Sequence, residues 1–332
     1  MGIIARQSLK GTIVNYIGAF IGFISTMFIV TRFLSSEEIG LTRVLFEAAT
    51  FIGTFAQLGI TSSAIRFFPS FKSKDGNNHG FFFYMMMVPL VGCLIFLPFF
   101  GLLQDVICDY FKENSSLFVD YYDWLIPLMF FVVYLGVFET YANLLMRIVI
   151  PKVIREIVIR LLLIVVYLLY AFHVINLTGF VTGYVAVYGV AMLCNFFYVS
   201  KIGSVTLKHD SSFINKDLRK DILKYTLFLM IGVIGGSITS RLDIFMVSAE
   251  LGLNYAGIYS IAFYMVAIID IPSRSITAIS SPVAADALRA GEFERANDLY
   301  KKVALHQLLI GGFIFLILWI NIDNIFAIIP QG

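Results

Sequence analysis

The sequence predicts an all-α integral membrane protein, a polytopic helical bundle, and three observations support this class. Apolar residues make up 59% of the 332 residues, against about 45 to 50% in soluble proteins. Charged residues make up only 14%, where about 25% is usual. The apolar residues also form repeated runs of roughly 20 residues, the length that a helix needs to cross a bilayer. A soluble globular protein is therefore excluded.

The first two apolar runs, residues 11–33 and 44–67, predict a membrane hairpin with a nine-residue hinge at 34–42. The first run is too long for a signal peptide and lacks a small-residue cleavage site. Small and polar residues share one face of each run at helical spacing. On the first run these are Gly11, Asn15, Gly18, Gly22, Ser25 and Arg32. On the second they are Glu47, Thr50, Thr54, Gln57 and Thr61.

Further spans are predicted at 80–103, 122–145, 154–175, 177–200, 222–247, 255–280 and 303–322, and a tenth begins at Ile325. Lys and Arg collect on the cytoplasmic side of membrane proteins. With the N-terminus inside, 20 of the 24 Lys and Arg residues lie on that side. The other side holds Arg32, Arg43, Lys112 and Arg241. The N-terminus is therefore predicted to be cytoplasmic.

A weak internal repeat divides the chain. A shift of 214 residues places Gly18 on Gly232 and Gly22 on Gly236, and after a three-residue insertion Gly40 falls on Gly257. This predicts an N-terminal lobe of six spans at 1–200, a polar linker at 201–221 and a partial second lobe at 222–332. Both halves would begin in the cytoplasm, so the repeat would be parallel, about an axis normal to the membrane. A second lobe of six spans would need more chain, so we expect a C-terminally truncated piece of a longer protein.

Ionisable residues inside the predicted spans are candidates for function, because each costs about 2.5 to 3.5 kcal/mol at the bilayer centre. Asp243 shares a helical face with Gly232, Gly236 and Thr239, which favours a cation or proton site. The alternatives are an acid paired with a neighbouring helix or one hydrated near the outer surface. Arg241 points to another face and is interpreted as structural.

Three further predictions concern the first hairpin. Arg32 and Glu47 are placed near the outer surface, where they either form a salt bridge that pins the turn or contact substrate. Arg66, close to the inner surface, is interpreted as an anchor whose head group reaches water. Gly18 and Gly22 form a GxxxG motif, which favours close helix packing.

Spans four, five and eight carry the remaining candidates. Glu139 shares a face with Asn143 and is expected to bond Arg160 or Arg147 or to titrate. Two acid and base pairs one turn apart are expected to neutralise each other, namely Glu156 with Arg160 and Asp270 with Arg274.

Metal and nucleic-acid binding are not indicated. The three cysteines and four histidines are scattered without ligand spacing, so no metal or other cofactor is assigned. The net charge of +2 is too small to suggest a nucleic-acid partner.

Residues 30–69 resemble the opening of bacterial polysaccharide flippases, of the O-antigen or capsule type, in the multidrug/oligosaccharidyl-lipid/polysaccharide (MOP) superfamily. The matching features are Arg32, the acidic turn at Glu37 and Glu38, Gly40, the pair Leu58 and Gly59, and, at the end of the motif, Arg66, Phe67 and Pro69. Residues 241–265 resemble the entry to the second lobe of that family. The resemblance extends over the whole chain.

The resemblance implies a transporter in the bacterial cytoplasmic (inner) membrane, not an enzyme. Its cargo would be a lipid-linked oligosaccharide on an undecaprenyl pyrophosphate carrier, flipped by alternating access with proton or sodium coupling. Membrane lipids would be partners, and a polysaccharide polymerase or glycosyltransferases are further candidates. The substrate-cavity candidates are Asn15, Arg32, Glu47, Gln57, Asn143, Arg160 and Arg274. The ion-coupling candidates are Glu139, Asp243 and Asp270.

Two alternatives stay open. A drug or metabolite exporter of the same superfamily would share the architecture. A membrane polysaccharide polymerase or ligase is less favoured, because the longest predicted outer loop is only 104–121 and no catalytic set of residues occurs.

Overall fold

A computed structural model describes residues 3–73, 78–202 and 216–328, and within these ranges the chain is helical without strands. Seven helical stretches in the described residues are long and apolar enough to cross a membrane. The chain is therefore an all-α polytopic membrane protein, as predicted.

The N-terminal helices, α1 to α10, form the first group. They are α1 (Ile3–Ile24), α2 (Thr31–Phe33), α3 (Ser36–Ala56), α4 (Ile60–Phe71), α5 (Phe81–Lys112), α6 (Ser116–Asp120), α7 (Leu125–Leu144), α8 (Val149–Val153), α9 (Ile159–Ala171) and α10 (Leu177–Ile202). The π-helical segments Ser25–Val30 and Ile154–Val158 join α1 to α2 and α8 to α9. The 3-10 turns Asn78–Gly80 and Tyr122–Trp124 precede α5 and α7.

The C-terminal helices, α11 to α15, form the second group. They are α11 (Lys216–Thr239), α12 (Leu242–Glu250), α13 (Leu253–Arg289), α14 (Phe293–Ile320) and α15 (Ile322–Ile328). The predicted linker at 201–221 falls mostly on residues 203–215, outside the described ranges, and its last six residues are helical. The lobe boundary there stays a prediction.

The first hairpin turns at Leu34 and Ser35 alone, so the predicted nine-residue hinge is wrong. Ser35 forms a capping box: its hydroxyl accepts from the Glu38 backbone N–H at 3.3 Å, and its own N–H donates to Glu38 Oε2 at 2.8 Å. This satisfies two unpaired donors and begins α3 at Ser36. Glu47 consequently lies about 16 Å along the helix from its start, deeper than the predicted position near the surface.

The second predicted span is broken between α3 and α4. Leu58 and Gly59 have left-handed backbone angles, with φ of 47° and 71°. Gly59 lies against α11, where an added Cβ would be 3.0 Å from the Thr226 carbonyl oxygen. The Thr61 hydroxyl donates to Gln57 Oε1 across the break at 2.7 Å. A single helix over 44–67 is therefore wrong, and the left-handed pair lets α11 approach closely.

Two other predicted boundaries are also corrected. The outer loop predicted at 104–121 is largely helical, because α5 continues to Lys112 and α6 follows at Ser116. The predicted seventh span is interrupted at Ser240 and Arg241, between α11 and α12. Under the 214-residue shift this interruption corresponds to the π-helical segment Ser25–Val30, so both halves are irregular at the same place.

Consecutive long helices run in opposite directions, which defines two ends of the bundle. The hairpin end carries the turns at 34–35, 113–115, 172–176 and 251–252. There α3 crosses α13 at two glycines: a Cβ on Gly40 would overlap the Leu253 carbonyl, and a Cβ on Gly257 would overlap the Ser36 carbonyl. The contact is reciprocal at a constant shift of 217 residues, as a local two-fold axis between the helices would produce.

Candidate functional site

A central charge cluster joins the N-terminal helices to the C-terminal helices, and we define it as Arg43, Glu47, Arg241 and Asp243. Glu47 lies between two guanidinium groups, 2.8 Å from Arg43 Nη2 and 2.9 Å from Arg241 Nε. The Glu47 side chain is 10% exposed and that of Arg241 is 21% exposed. Burial of Glu47 and the two arginines is tolerated because each of them has an opposite charge as partner.

The predicted pairing of Glu47 with Arg32 is wrong. Arg32 is exposed, and its guanidinium lies 5.8 Å from the ring centre of Phe33. The early start of α3 explains the difference, because it moves Glu47 away from the turn and towards α12. Arg241, which was interpreted as pointing elsewhere, provides the contact instead.

Asp243 is held at the start of α12. Its carboxylate accepts a hydrogen bond from the Tyr259 hydroxyl of α13 and one from the Ile244 backbone N–H at 2.8 Å. The predicted common face with Gly232, Gly236 and Thr239 does not exist, because the helix is interrupted between Thr239 and Asp243. Asp243 is thus bonded to the neighbouring helix α13, and its role in ion coupling stays a prediction.

Hydrogen bonds and aromatic rings complete the surroundings of the cluster. Arg241 Nη1 donates to Ser237 Oγ at 3.0 Å, and Ser237 Oγ lies 3.3 Å from Thr54 Oγ1 on α3. The Arg43 guanidinium lies 5.3 Å from the ring centre of Phe263 and 5.7 Å from that of Tyr264, both on α13. Cation–π contacts of this kind stabilise a desolvated arginine.

A second charged pair lies within the N-terminal helices. Arg155 Nη1 donates to Glu139 Oε2 at 2.8 Å, so the expected partners Arg147 and Arg160 are wrong. Arg155 lies in the π-helical segment Ile154–Val158, whose wider turn departs from the 3.6-residue period on which the prediction depended. The Arg155 side chain is 58% exposed while that of Glu139 is 13% exposed. The guanidinium therefore keeps donors available to a ligand.

The GxxxG motif of α1 packs on span five, which confirms its predicted role. A Cβ on Gly18 would lie 2.6 Å from Glu156 Cβ, and one on Gly22 would overlap the Arg160 guanidinium. Arg160 forms the predicted pair with Glu156, at 2.9 Å, and donates to the Gly18 carbonyl. Much of its hydrogen-bonding capacity is thus used in helix packing.

The other candidates lie apart from these pairs. Asn15 and Asn143 are exposed on α1 and α7, Gln57 is half-buried at the break before α4, and Asp270 is exposed on α13. The Arg274 side chain lies outside the described part of the chain, so its pairing with Asp270 stays a prediction. Arg66, predicted to be an anchor, stacks over Tyr225 of α11 at 4.1 Å from the ring centre.

Contacts at the hairpin end hold the N-terminal and C-terminal helices together. Tyr110 donates to Glu250 Oε1 at 2.7 Å, Asn114 Nδ2 donates to the Ala249 carbonyl at 2.9 Å, and Ser115 donates to the Ser248 carbonyl. The Ser36 hydroxyl bonds the Asn254 side chain nearby. The carbonyls at the end of α12 are thereby satisfied by the segment after α5. The bundle is closed at this end.

Several of these residues were not predicted from the sequence. Arg43 carried a usable signal, because it lies four residues before Glu47 and such pairs meet on a helix. Arg155 and Tyr259 carried none, since their roles depend on which helices pack together.

Comparison with known proteins agrees with this architecture. A family model described as polysaccharide biosynthesis protein matches residues 4–285. No individual curated protein sequence matches the chain.

Solved structures of MOP superfamily transporters share the fold. An inward-facing multidrug resistance transporter of the MATE family matches with a TM-score of 0.69 and 14% identity, over 97% of this chain and 72% of that one. A MATE protein in complex with MaL6 matches with a TM-score of 0.63 and 14% identity, over 99% and 74%. A MOP transporter from Pyrococcus furiosus, described as having a binding pocket of reverse polarity, matches with a TM-score of 0.60 and 15% identity, over 96% and 71%.

Proposed function

The chain belongs to the family of polysaccharide biosynthesis proteins, and on this premise we propose that the intact protein transports a lipid-linked oligosaccharide. The cargo would be carried on an undecaprenyl-pyrophosphate-type lipid and moved from the inner to the outer leaflet of a bacterial cytoplasmic membrane. The family match is the observation that carries the proposal, and the transporter fold supports it. The protein would act by alternating access and not as an enzyme.

The orientation follows from the charge distribution. With 20 of 24 Lys and Arg residues on one side, the N-terminus is cytoplasmic and the hairpin end faces outwards. The contacts of Tyr110, Asn114 and Ser36 then close the outer side. Release of cargo to the outer leaflet would require these contacts to break, as the two groups of helices rock apart at this end.

Arg155 is the cation that we assign to the pyrophosphate. A guanidinium binds phosphate oxygens through two parallel N–H donors, and Arg155 is more than half exposed. Arg160, by contrast, is held by Glu156 and by the Gly18 carbonyl.

The pairing of Arg155 with Glu139 provides a route to ion coupling. A pyrophosphate that binds Arg155 would compete with Glu139 for its donors. An acid that loses its cationic partner at low dielectric binds a proton or sodium ion more readily. Cargo binding would in this way be linked to cation binding at Glu139.

Two measurements test the proposal with the full-length protein. Surface polysaccharide is measured in cells, and transfer of fluorescently labelled lipid-linked oligosaccharide is measured in proteoliposomes. Arg155→Gln should lower transfer at least tenfold, because a neutral amide cannot replace the charged fork. Arg295→Gln is the control, since Arg295 forms an exposed ion pair with Glu292. Full transfer by Arg155→Gln would contradict the assignment of Arg155, and no transfer by the unaltered protein would contradict the proposed cargo.

A multidrug exporter is the second candidate, because one of the similar structures is a multidrug resistance transporter of the MATE family. A cationic drug requires an acid that is free to pair with it. Glu47 and Asp243, the two acids of the central charge cluster, are both engaged by protein donors. Efflux of a cationic dye from cells that carry the protein, without any effect on surface polysaccharide, would favour the exporter.

A further inference from the structure

A long apolar cavity lies between α3, α5 and α12. Its volume is about 450 Å³, within the range of small-molecule sites. Rings from all three helices form its walls, among them Phe51, Phe55, Phe96, Phe100 and Phe245. The rings interlock, with centroids 5.8 Å apart for Phe51 and Phe245 and 5.8 Å apart for Phe55 and Phe96.

The shape of the cavity follows the axis of the bundle. Along α5 the lining extends from Phe96 to Phe111, a rise of about 22 Å at 1.5 Å per residue. Along α3 it extends from Ala48 to Phe55. A narrow cavity in this direction is parallel to the lipid chains of a bilayer around the bundle.

The chemistry of the cavity excludes water. A buried water needs two to four polar partners, and the lining side chains offer only the hydroxyls of Tyr110 and Tyr122. Its mouth opens on the flank of the bundle, where Phe99 is 54% exposed and Met246 is 56% exposed. On this flank α5 is long and apolar enough to cross a membrane, so the surrounding medium is hydrocarbon.

We propose that this cavity binds the acyl chain of a bilayer phospholipid. Acyl chains surround its mouth at high concentration, and an extended chain matches its length, direction and polarity. The site is independent of the transported cargo. Because α3 and α5 form one side and α12 forms the other, a resident chain is in contact with both groups of helices and stabilises the closed hairpin end.

Fluorescence quenching by brominated lipid tests this proposal. The full-length protein is given a single tryptophan in the wall by Phe96→Trp, in a background in which Trp124, Trp319 and every other tryptophan of that protein are replaced by Phe. It is reconstituted in phosphatidylglycerol vesicles whose acyl chains are brominated at the middle. Leu308→Trp, on the exposed surface of α14, reports on ordinary contact with bilayer lipid in the same background.

A resident chain predicts quenching of the Phe96→Trp probe at least as strong as that of the Leu308→Trp probe. Adding Ala48→Phe, which fills the cavity with a ring, should reduce quenching at position 96 more than twofold and leave position 308 unchanged. If position 96 is unquenched while position 308 is quenched, the cavity holds no acyl chain. Mass spectrometry of phospholipid retained in detergent provides a second measurement if the filled variant does not fold. More than one mole retained per mole of unaltered protein supports the site, and none overturns it.

Discussion

Glu47 is the residue on which contact between the N-terminal and C-terminal helices depends most directly. It is an acid at membrane depth with two arginines within 3 Å. Loss of one partner from such a buried group leaves an uncompensated charge. Glu47 and the two arginines therefore stabilise the closed conformation only while they remain paired.

Substitution of Glu47 by Gln should destabilise the protein by about 3 kcal/mol, near the lower end for a broken buried pair, because both arginines keep some solvent contact. In an Arg241→Gln background the same change should cost less, with a coupling of about 1 to 3 kcal/mol. A double-mutant cycle from denaturant titrations in mixed micelles measures this. Additive effects of the two substitutions would show that the pair contributes no coupling. Arg295→Gln serves as the exposed control and should produce no measurable change.

At this scale the sequence indicated which residues are charged at membrane depth but not how they pair. Glu156 with Arg160 was predictable because both lie on one helix four residues apart. The contacts of Glu139 with Arg155 and of Glu47 with Arg241 join different helices. Such contacts depend on packing that a single helical period does not contain.

Individual elements carry their own stop and start signals, and the beginning of α3 is the clearest. Replacement of Ser35 by Ala removes the hydroxyl that accepts from the Glu38 N–H. We expect a loss of about 1 kcal/mol, the usual value of an N-cap. The thermal unfolding midpoint in detergent measures it, and Ser35→Asp, which keeps an acceptor, should restore most of the loss. An unchanged midpoint for Ser35→Ala would contradict a capping role.

The crossing of α3 and α13 makes a second prediction for an element. Gly257→Ala places a methyl group on the Ser36 carbonyl oxygen, and overpacking against backbone should cost about 3 kcal/mol or more. Gly101→Ala is the matched control, because an added Cβ there meets nothing within 4 Å and helical glycine is about 0.5 to 1 kcal/mol less favourable than alanine. Opposite shifts of the melting temperature are therefore expected. A neutral Gly257→Ala would contradict the close crossing.

The predicted elements were correct in kind more often than in their ends. Hydropathy locates an apolar run but does not show a break within it. Leu58 and Gly59 are as apolar as the rest of the run, and only their positive φ angles interrupt the helix. The capping box at Ser35 was visible in the sequence, and its pattern of Ser followed by Glu three residues later would have corrected the hinge.

The conformation of the whole molecule is closed at the hairpin end. Cysteines introduced by Ser36→Cys and Asn254→Cys should cross-link this end, in a background without Cys93, Cys108, Cys194 and any other native cysteine of the full-length protein. We expect transfer of lipid-linked oligosaccharide by the full-length protein to stop on oxidation and to return on reduction. A pair at Glu292→Cys and Arg295→Cys, one turn apart, is the control. Undiminished transfer after complete cross-linking would show that this end does not open.

The fold class of the whole molecule was accessible from the sequence, because it depends on the length of the apolar runs. The membrane orientation, argued from the basic residues between the runs, stays a prediction. The correspondence of Gly40 with Gly257 was also visible as a weak repeat. Its physical meaning, a direct contact between the two repeated helices, required the three-dimensional arrangement.

That reciprocal contact also has a consequence for the history of the chain. If the two halves descend from one duplicated segment, most of their positions can diverge independently, because the residues there pack only within their own half. Gly40 and Gly257 differ from these positions, because a side chain at either one would overlap the backbone of the other half. A side chain at either position would therefore separate the halves, and we expect both positions to keep glycine while the rest of the two halves diverges.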